Sequence, residues 1–241
     1  MNFENKTVLV TGANRGIGQA IVKELLKKNV KKVYATARDL KNLPDFSDNR
    51  VVGLSLDITN LDQVKSAVST ASDTDILINN AGVAAMASLL TSPVEDLKRD
   101  MDTNYYGTLN MVREFVPALE AKKDSAIVNV VTIGAFVNFP NIGGYSASKA
   151  ALFSMSQGIR IELQTKGIAV HTVNPGPIDT DMTKDFQMDK TSPQITAENI
   201  VNSLEQGEVD IFPDPGSKGM FDLWNSNYRD LENAVSQMFH S

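Results

Sequence analysis

The sequence predicts an α/β protein built on a doubly wound parallel sheet of about seven strands with helices on both faces. Short apolar and β-branched runs alternate with stretches of helical periodicity along the chain. The runs are apolar at nearly every position, which is typical of parallel strands that are covered on both faces. A glycine-rich segment joins the first run to the first helix. We expect ligands at the carboxyl edge of such a sheet.

The strands are predicted from runs of β-branched and apolar residues that end at turn-forming residues. In chain order these runs are 7–12, 32–38, 50–57, 75–82, 125–132, 168–176 and the weaker 208–213.

The helices are predicted from apolar residues at helical spacing and from their start and stop signals. One helix follows the glycine-rich segment at 17–28, and a surface helix is expected at 228–239. A further helix should begin with Ser92 as its cap, with Pro93 and Glu95 behind it. Another should run from Tyr145 to about Lys166, where Gly167 stops it. We predict a single domain over 1–241, with 182–207 as a mobile substrate-binding loop and helix within it.

Composition excludes several kinds of protein. The 241 residues fit one large domain, and a net charge of −6 argues against a nucleic-acid surface. The chain has no cysteine and only two histidines, so we expect neither disulfides nor a metal site. No segment approaches the roughly 20 apolar residues of a membrane span, and the N-terminus is unlike a targeting peptide. We predict a cytoplasmic protein without a membrane partner.

The segment TGANRGIG at 11–18 indicates a dinucleotide site. Gly12, Gly16 and Gly18 would let the backbone turn tightly and approach a pyrophosphate at the N-terminus of the following helix. Spacing alone is weak support, but the position between an apolar strand and a helix is the one that a Rossmann fold requires. The sequence therefore predicts a doubly wound Rossmann fold.

Two arginines favour NADP(H) as the cofactor. Arg38 follows the second predicted strand, where an acidic residue would suit the ribose hydroxyl of NAD and an arginine suits the 2′-phosphate of NADP. Arg15 in the glycine-rich loop could reach the same phosphate. Asp39 comes one residue later and leaves NAD(H) as the alternative.

Tyr145 and Lys149 are four residues apart on a predicted helix and so share one face. A phenol has an unperturbed pKa of about 10, which a neighbouring cation lowers. The pair therefore predicts a proton donor.

Six motifs in the expected order make the chain resemble the short-chain dehydrogenase/reductase family in its single-domain carbonyl-reductase form, over about residues 5–180. They are TGANRGIG, Asp57-Ile58, NNAG at 79–82, Asn104, YSASK at 145–149 and NPGPIDT at 174–180. The resemblance implies Asn104, Tyr145 and Lys149 as catalytic residues. It also implies that Lys149 holds the nicotinamide ribose and that Asn104 anchors a water in a proton relay. With the loop glycines and the arginines, the predicted cofactor-binding residues are Gly12, Asn14, Arg15, Gly16, Ile17, Gly18, Arg38, Asp57, Ile58, Asn80, Ala81, Gly82, Tyr145, Lys149, Pro175, Gly176, Ile178 and Thr180.

Thr132 departs from the family pattern, which has a serine thirteen residues before the tyrosine. Threonine keeps the hydroxyl but adds a methyl group and a stiffer χ1 angle. Either Thr132 takes the role of the serine and binds the substrate oxygen, or it is a strand residue kept for packing and the chemistry is weak. We favour the first interpretation, because Asn104, Tyr145 and Lys149 are all retained.

The sequence therefore predicts a reductase that transfers a hydride from NADPH to a neutral, hydrophobic ketone or aldehyde. The alternative is a catalytically weak NADPH-binding regulator on the same fold. A sugar-nucleotide epimerase would need a further substrate domain for which the chain has no room. The predicted substrate-pocket residues are apolar, and they are Ala84, Phe136, Phe139, Pro177, Met182 and Phe186. Apolar faces on 105–119 and 150–163 favour a homodimer, with a tetramer as the alternative.

Overall fold

Seven parallel strands form one sheet in the order β3-β2-β1-β4-β5-β6-β7. The structure is a computed structural model that describes residues 1–240, apart from the side chain of His240. The strands are β1 (Thr7–Val10), β2 (Lys32–Ala37), β3 (Val51–Ser55), β4 (Ile76–Asn79), β5 (Ser125–Val130), β6 (Ile168–Val173) and β7 (Asp210–Ile211). Each lies inside the run that predicted it, and the predicted fold class is confirmed.

Helices cover both faces of the sheet. They are α1 (Gly16–Leu26), α2 (Leu61–Thr70), α3 (Val94–Met101), α4 (Thr108–Glu120), α5 (Gly143–Leu163), α6 (Pro193–Gln206), α7 (Pro215–Ser226) and α8 (Tyr228–His240). None of these helices, as far as the chain is described, is long and apolar enough to cross a bilayer.

Alternation along each strand divides the core between the two faces. Val8 and Val10 of β1 pack with residues of α1 and α6 on one face. Leu9 between them packs with residues of α2 and α4 on the other face. Successive side chains of a strand point to opposite faces, so a strand that is apolar throughout contributes to both cores.

The order of the strands places the site. β2 and β3 extend from one side of β1, whereas β4 to β7 extend from its other side. Ligands of open α/β sheets bind where the strand order reverses, outside the carboxyl ends of the strands. The glycine-rich loop follows β1 and the segment Asn80–Gly82 follows β4, so both lie at this reversal.

The predicted capping of α3 by Ser92 is wrong. α3 begins at Val94 with Pro93 as its cap residue, and no side chain caps it. The Ser92 hydroxyl instead accepts a hydrogen bond of 2.9 Å from the Ser88 backbone N–H. The loop before the helix therefore uses the hydroxyl that the capping pattern assigned to the helix.

A π-helical turn, Asp102–Gly107, joins α3 to α4. Such turns alter the hydrogen bonding and direction of a helix and are frequent at functional sites. Here the turn contains Asn104, one of the predicted catalytic residues.

Candidate active site

The glycine-rich loop between β1 and α1 leaves no room for side chains. A Cβ at Gly12 would lie 2.9 Å from the Ala81 Cα, and Gly12 has a φ of +64°. A Cβ at Gly18 would lie 2.3 Å from the Gly12 carbonyl oxygen. The close approach of β1, α1 and the segment after β4 therefore requires glycine at both positions.

The N-terminus of α1 is open for an anion. Arg15 is the cap residue, and no side chain hydrogen-bonds to the first N–H groups of the helix. Asn14 and Ile17, also predicted to bind the cofactor, lie beside Arg15 and Gly16 in this loop and are partly exposed. Unpaired N–H groups at the start of an eleven-residue helix form a site for a phosphate group.

The segment after β4 is fixed to the glycine-rich loop by hydrogen bonds. The Asn80 Nδ2 donates to the carbonyl oxygens of Thr11 and Gly12, both at 3.0 Å. The Thr11 hydroxyl accepts from the backbone N–H groups of Asn80 at 2.9 Å and Ala81 at 3.0 Å. The two predicted cofactor-binding segments are therefore held together before any ligand binds.

Gly82 brings this segment to the predicted catalytic residues. A Cβ at Gly82 would lie 3.0 Å from the Asn104 Oδ1 and 3.4 Å from the Lys149 Nζ. The Asn104 amide is fixed, because its Oδ1 accepts from the Val83 N–H at 2.9 Å and its Nδ2 donates to the Ser148 hydroxyl at 2.9 Å. The π-helical turn and α5 thus meet at the segment that follows β4.

Lys149 is a buried cation. Its side chain is 3% exposed, and its Nζ donates to the Val130 carbonyl oxygen at 2.7 Å. Burial lowers the pKa of Lys149 to about 8, and the nearby charge of Asp100 opposes this decrease. The ammonium lies 5.8 Å from the centroid of the Tyr145 ring.

Tyr145 lies half-buried in the first turn of α5. Burial raises the pKa of Tyr145 to about 12, the nearby Thr132 hydroxyl opposes this increase, and the charge of Asp100 adds to it. The decrease in pKa expected from a neighbouring lysine is therefore not found, and the side chain is a neutral phenol with a proton to donate at physiological pH.

Thr132 lies directly after β5, and its hydroxyl points to this site rather than away from it. It is 8% exposed, donates to the Pro175 carbonyl oxygen at 3.1 Å and accepts from the Gly134 N–H at 3.2 Å. A hydroxyl has a single proton to donate. To donate to a substrate oxygen, Thr132 must therefore exchange the Pro175 carbonyl for the substrate.

The turn after β6 is anchored by Asp214, which the sequence analysis did not identify. Its Oδ2 accepts from the Gly176 N–H at 2.8 Å, and its Oδ1 accepts from the Ser217 N–H at 2.8 Å as the cap of α7. Further along this turn, Ile178 is 3% exposed, and the side chain of Thr180 lies against Gly16. Helix α7 therefore holds the turn after β6 in place.

The two arginines lie at the surface beside the glycine-rich loop. Arg15 forms an exposed ion pair of 3.0 Å with Asp181, and Arg38 is exposed at the end of β2. The Asp39 Oδ1 accepts from the Lys41 N–H at 2.9 Å and thereby caps a short 3₁₀ helix. Asp57 is half-buried with its Oδ1 on Thr59, and Ile58 is buried beneath Gly107.

The predicted pocket residues separate into two groups. Ala84, Pro177 and Phe186 are partly exposed, and Met182 is 37% exposed, so all four border open space. Phe136 instead packs in an aromatic cluster with Phe153, Phe212, Phe221 and Trp224, with ring centroids 4.8 to 5.8 Å from its own. Phe139 packs beside Val137 and beside Leu231 and Val235 of α8. Phe221 and Trp224 come from α7, and Leu231 and Val235 come from α8, so these two helices hold Phe136 and Phe139 in place.

Asp100 belongs to the site, although the sequence analysis did not identify it. It is fully buried near the end of α3, and its Oδ1 accepts from the Ala85 N–H at 2.9 Å. Burial raises the pKa of this carboxyl group. Asp100 precedes Asn104 by four residues, the same spacing that indicated the pair Tyr145 and Lys149.

Comparison with known proteins identifies the family. Residues 6–191 match the family described as short chain dehydrogenase. The chain is 32% identical to the 3-oxoacyl-[acyl-carrier-protein] reductase FabG of Vibrio cholerae over 215 residues, which cover 85% of this chain and 88% of the reductase. It is 31% identical to a 3-ketodihydrosphingosine reductase of Bacteroides thetaiotaomicron, with 84% of this chain and 76% of the other covered.

A solved structure extends the match to almost the whole chain. A short chain dehydrogenase of Burkholderia cenocepacia in complex with NADP is 36% identical, with a TM-score of 0.93 over 98% of this chain and 99% of the other. A 3-ketoacyl-(acyl-carrier-protein) reductase of Brucella melitensis complexed with NADH is 25% identical, with a TM-score of 0.80 over 90% and 99%. The chain belongs to the short-chain dehydrogenase/reductase family, and it is an oxidoreductase of that family.

Proposed function

We propose that this oxidoreductase reduces a neutral, hydrophobic ketone or aldehyde to an alcohol, with NADPH as hydride source and Tyr145 as proton donor. One observation carries the proposal. Gly82 of the dinucleotide site lies against both Asn104 and Lys149, and Lys149 lies beside the Tyr145 ring. A nucleotide site and a proton donor therefore share one edge of the sheet.

The fit of the dinucleotide rests on the glycine-rich loop. Side chains at Gly12 and Gly18 would collide with neighbouring backbone atoms, and the uncapped start of α1 offers N–H groups to a pyrophosphate. When bound, the cofactor supplies the hydride. Lys149 and the turn at Pro175–Gly176 would hold its nicotinamide end.

Surface charge favours the phosphorylated cofactor. Arg38 is exposed at the end of β2, where we expect the 2′-phosphate, and Arg15 would have to leave its ion pair with Asp181 to join it. The Asp39 carboxylate caps a 3₁₀ helix instead. An arginine binds a phosphate through two parallel hydrogen bonds, and a carboxylate there would repel it. The Burkholderia structure contains NADP, which supports the same preference.

The proton chemistry follows from the two buried groups. With a pKa of about 12, Tyr145 keeps its proton until a stronger base, the developing alkoxide, lies next to it. The adjacent Lys149 cation then stabilises the phenolate that remains, and the Thr132 hydroxyl shares the charge on the substrate oxygen. Asn104, held in the π-helical turn, would anchor the water through which the proton of Tyr145 is replaced.

The substrate class is proposed from the open side of the site and from the named relatives. Ala84, Pro177, Phe186 and Met182 offer apolar contacts and no cation for a substrate carboxylate. The names of the relatives describe reductases of 3-oxoacyl and 3-keto groups on long acyl or sphingoid chains. A ketone within an apolar chain fits both observations.

Oxidation of NADPH, followed against aryl, cyclic and aliphatic ketones and a 3-oxoacyl thioester, tests the proposal. We expect turnover with apolar ketones and loss of nearly all turnover in Tyr145→Phe, with the Kd for NADPH changed by less than about threefold, since the phenol acts on the substrate oxygen. Tight NADPH binding without turnover on any carbonyl compound would favour the regulator instead. Activity confined to charged or sugar ketones would contradict the proposed substrate class.

We also propose a homodimer formed through α4 and α5. These helices border a surface groove of about 480 Å³ whose lining includes Leu109, Val116, Met155 and Ile159. Sedimentation velocity tests the proposal: a species of two chains is expected, and Met155→Glu should convert it to one chain. A wild-type protein that sediments as a single chain would contradict it.

A further inference from the structure

We propose that Asp100 is a positioning residue of the reductase site, whose buried carboxylate is the counter-charge that keeps the Lys149 side chain protonated. The inference rests on the proposed function, because it concerns the proton chemistry of the same site. It adds an acidic residue to the catalytic residues that the sequence predicted.

Asp100 lies where α3 meets the first turn of α5. Asp100 is 0% exposed on α3, which packs against α5, the helix that carries Tyr145 and Lys149. A Cβ at Gly144 would lie 3.3 Å from the Asp100 Oδ2. The carboxylate therefore faces the first turn of α5, directly before Tyr145.

Only one of the two carboxylate oxygens of Asp100 is hydrogen-bonded among the described residues. Its Oδ1 accepts from the Ala85 N–H at 2.9 Å, whereas its Oδ2 is buried and has no hydrogen-bond partner among the described residues. Asparagine could accept the bond from Ala85 equally well. Burying a carboxylate with one unpaired oxygen costs free energy. Since an amide would make the same hydrogen bond, the negative charge is the property of Asp100 that an asparagine would lack.

The charged and titratable groups around Asp100 come from α3, α5 and the π-helical turn. On α3, Asp96 and Arg99 lie 3.7 Å apart as a pair near the surface, and their effects on Asp100 have opposite signs. From α5, the titratable side chains near Asp100 are Lys149 and Tyr145. The π-helical turn adds the exposed carboxylate of Asp102 and the phenols of Tyr105 and Tyr106.

Lys149 needs such a counter-charge. Its ammonium is almost fully buried, and its hydrogen-bond acceptor, the Val130 carbonyl oxygen, is neutral. Burial favours the neutral amine, whereas a nearby carboxylate favours the ammonium. A neutral lysine could not stabilise the Tyr145 phenolate, so the charge of Asp100 would extend the pH range over which the site works.

Asp100→Asn tests the inference in the full-length protein, because it removes the charge and keeps an acceptor for Ala85. The titration of Lys149 is followed by NMR of ¹³C-labelled lysine, with Lys149→Met assigning the signal. We expect the midpoint to fall by about one pH unit, which a single nearby charge produces. Asp102→Asn is the matched control, since it removes an exposed charge two residues away, and it should leave the midpoint unchanged. Should Asp100→Asn not fold, Asp100→Ser removes the same charge.

Kinetics provide the second readout. Lys149 has a pKa of about 8, so a decrease by one pH unit lowers its protonated fraction about fivefold at pH 8 and very little at pH 6. We expect kcat for ketone reduction to fall about fivefold at pH 8 in Asp100→Asn and to match the wild type at pH 6.

An unchanged Lys149 midpoint in Asp100→Asn, or an equal change in Asp102→Asn, would overturn the inference. The NMR readout needs no turnover, so the two proposals fail separately. A wild type that reduces no carbonyl compound while the midpoint still moves would reject the reductase proposal alone. Full reductase activity with an unmoved midpoint would reject only the role of Asp100.

Discussion

Thr132→Val removes one hydroxyl group while keeping the size and branching of the side chain. The Thr132 oxygen accepts from the Gly134 N–H and donates to the Pro175 carbonyl, both of which then lose their partner. Each lost hydrogen bond costs about 1 kcal/mol, so we expect the free energy of unfolding to decrease by about 2 kcal/mol. For a chain of 241 residues this corresponds to a decrease in Tm of about 4–8 °C.

The same change should affect catalysis more than stability. If Thr132 donates to the substrate oxygen, its loss resembles the loss of one oxyanion donor, which lowers kcat by about 10²–10³-fold. Steady-state reduction of the best ketone substrate measures kcat, and fluorescence titration measures the Kd for NADPH, which should remain within about threefold. Thr132→Ser keeps the hydroxyl and should retain most of the activity.

A matched control separates the two effects. Thr172 on β6 is also a buried threonine, and its hydroxyl donates to the Asp210 Oδ1 at 2.8 Å and accepts from the Asn174 Nδ2 at 3.0 Å. Thr172→Val should therefore lower Tm to a similar extent and leave kcat within about threefold. A Thr132→Val variant that keeps more than a third of the wild-type kcat would refute the assignment of Thr132 to the substrate oxygen.

Three further changes follow from buried charge and surface charge. Lys149→Met should abolish turnover and flatten the increase in the free energy of unfolding between pH 8 and pH 10, because a native pKa of about 8 instead of 10.5 makes the buried ammonium costly below pH 8 and removes that cost as the pH rises. Urea unfolding at pH 7 and at pH 10 measures this, and an unchanged pH dependence would contradict it. Arg38→Ala should raise the Kd for NADPH about 10–100-fold and leave the Kd for NADH unchanged. Arg113→Ala, which removes another exposed arginine, is the control. Equal losses of affinity for both cofactors would exclude a contact between Arg38 and the 2′-phosphate. Burial lowers the pKa of His171, so the stability that its neutral ring allows is present above about pH 6.5 and is lost as the pH falls toward the lower native pKa. His171→Gln should therefore make Tm less dependent on pH between pH 7 and pH 5. An unchanged dependence of Tm on pH would show that His171 does not cause it.

The residues of the proposed catalytic and nucleotide-binding sites could be predicted because they belong to local patterns. A glycine-rich loop between a strand and a helix, and a tyrosine and a lysine four residues apart, are visible without any knowledge of distant contacts. The strands of the sheet were predictable for the same reason. The capping of α3 could not be predicted, because Ser92 chooses between the helix and Ser88 according to how the preceding loop folds.

By itself, the sequence determined the parallel sheet, the order of its strands along the chain, the glycine-rich loop between β1 and α1, and the tyrosine–lysine pair. Only the tertiary structure decided that Asp100 faces α5 with an unpaired oxygen, that Asp214 ties the turn after β6 to α7, and that Phe136 packs among aromatic side chains from α5, α7 and the segment between β7 and α7. The physical reason is that periodicity and turn chemistry act between near neighbours in the chain. Burial, and with it the pKa and the pairing of a charge, depends on residues that folding brings together from distant segments.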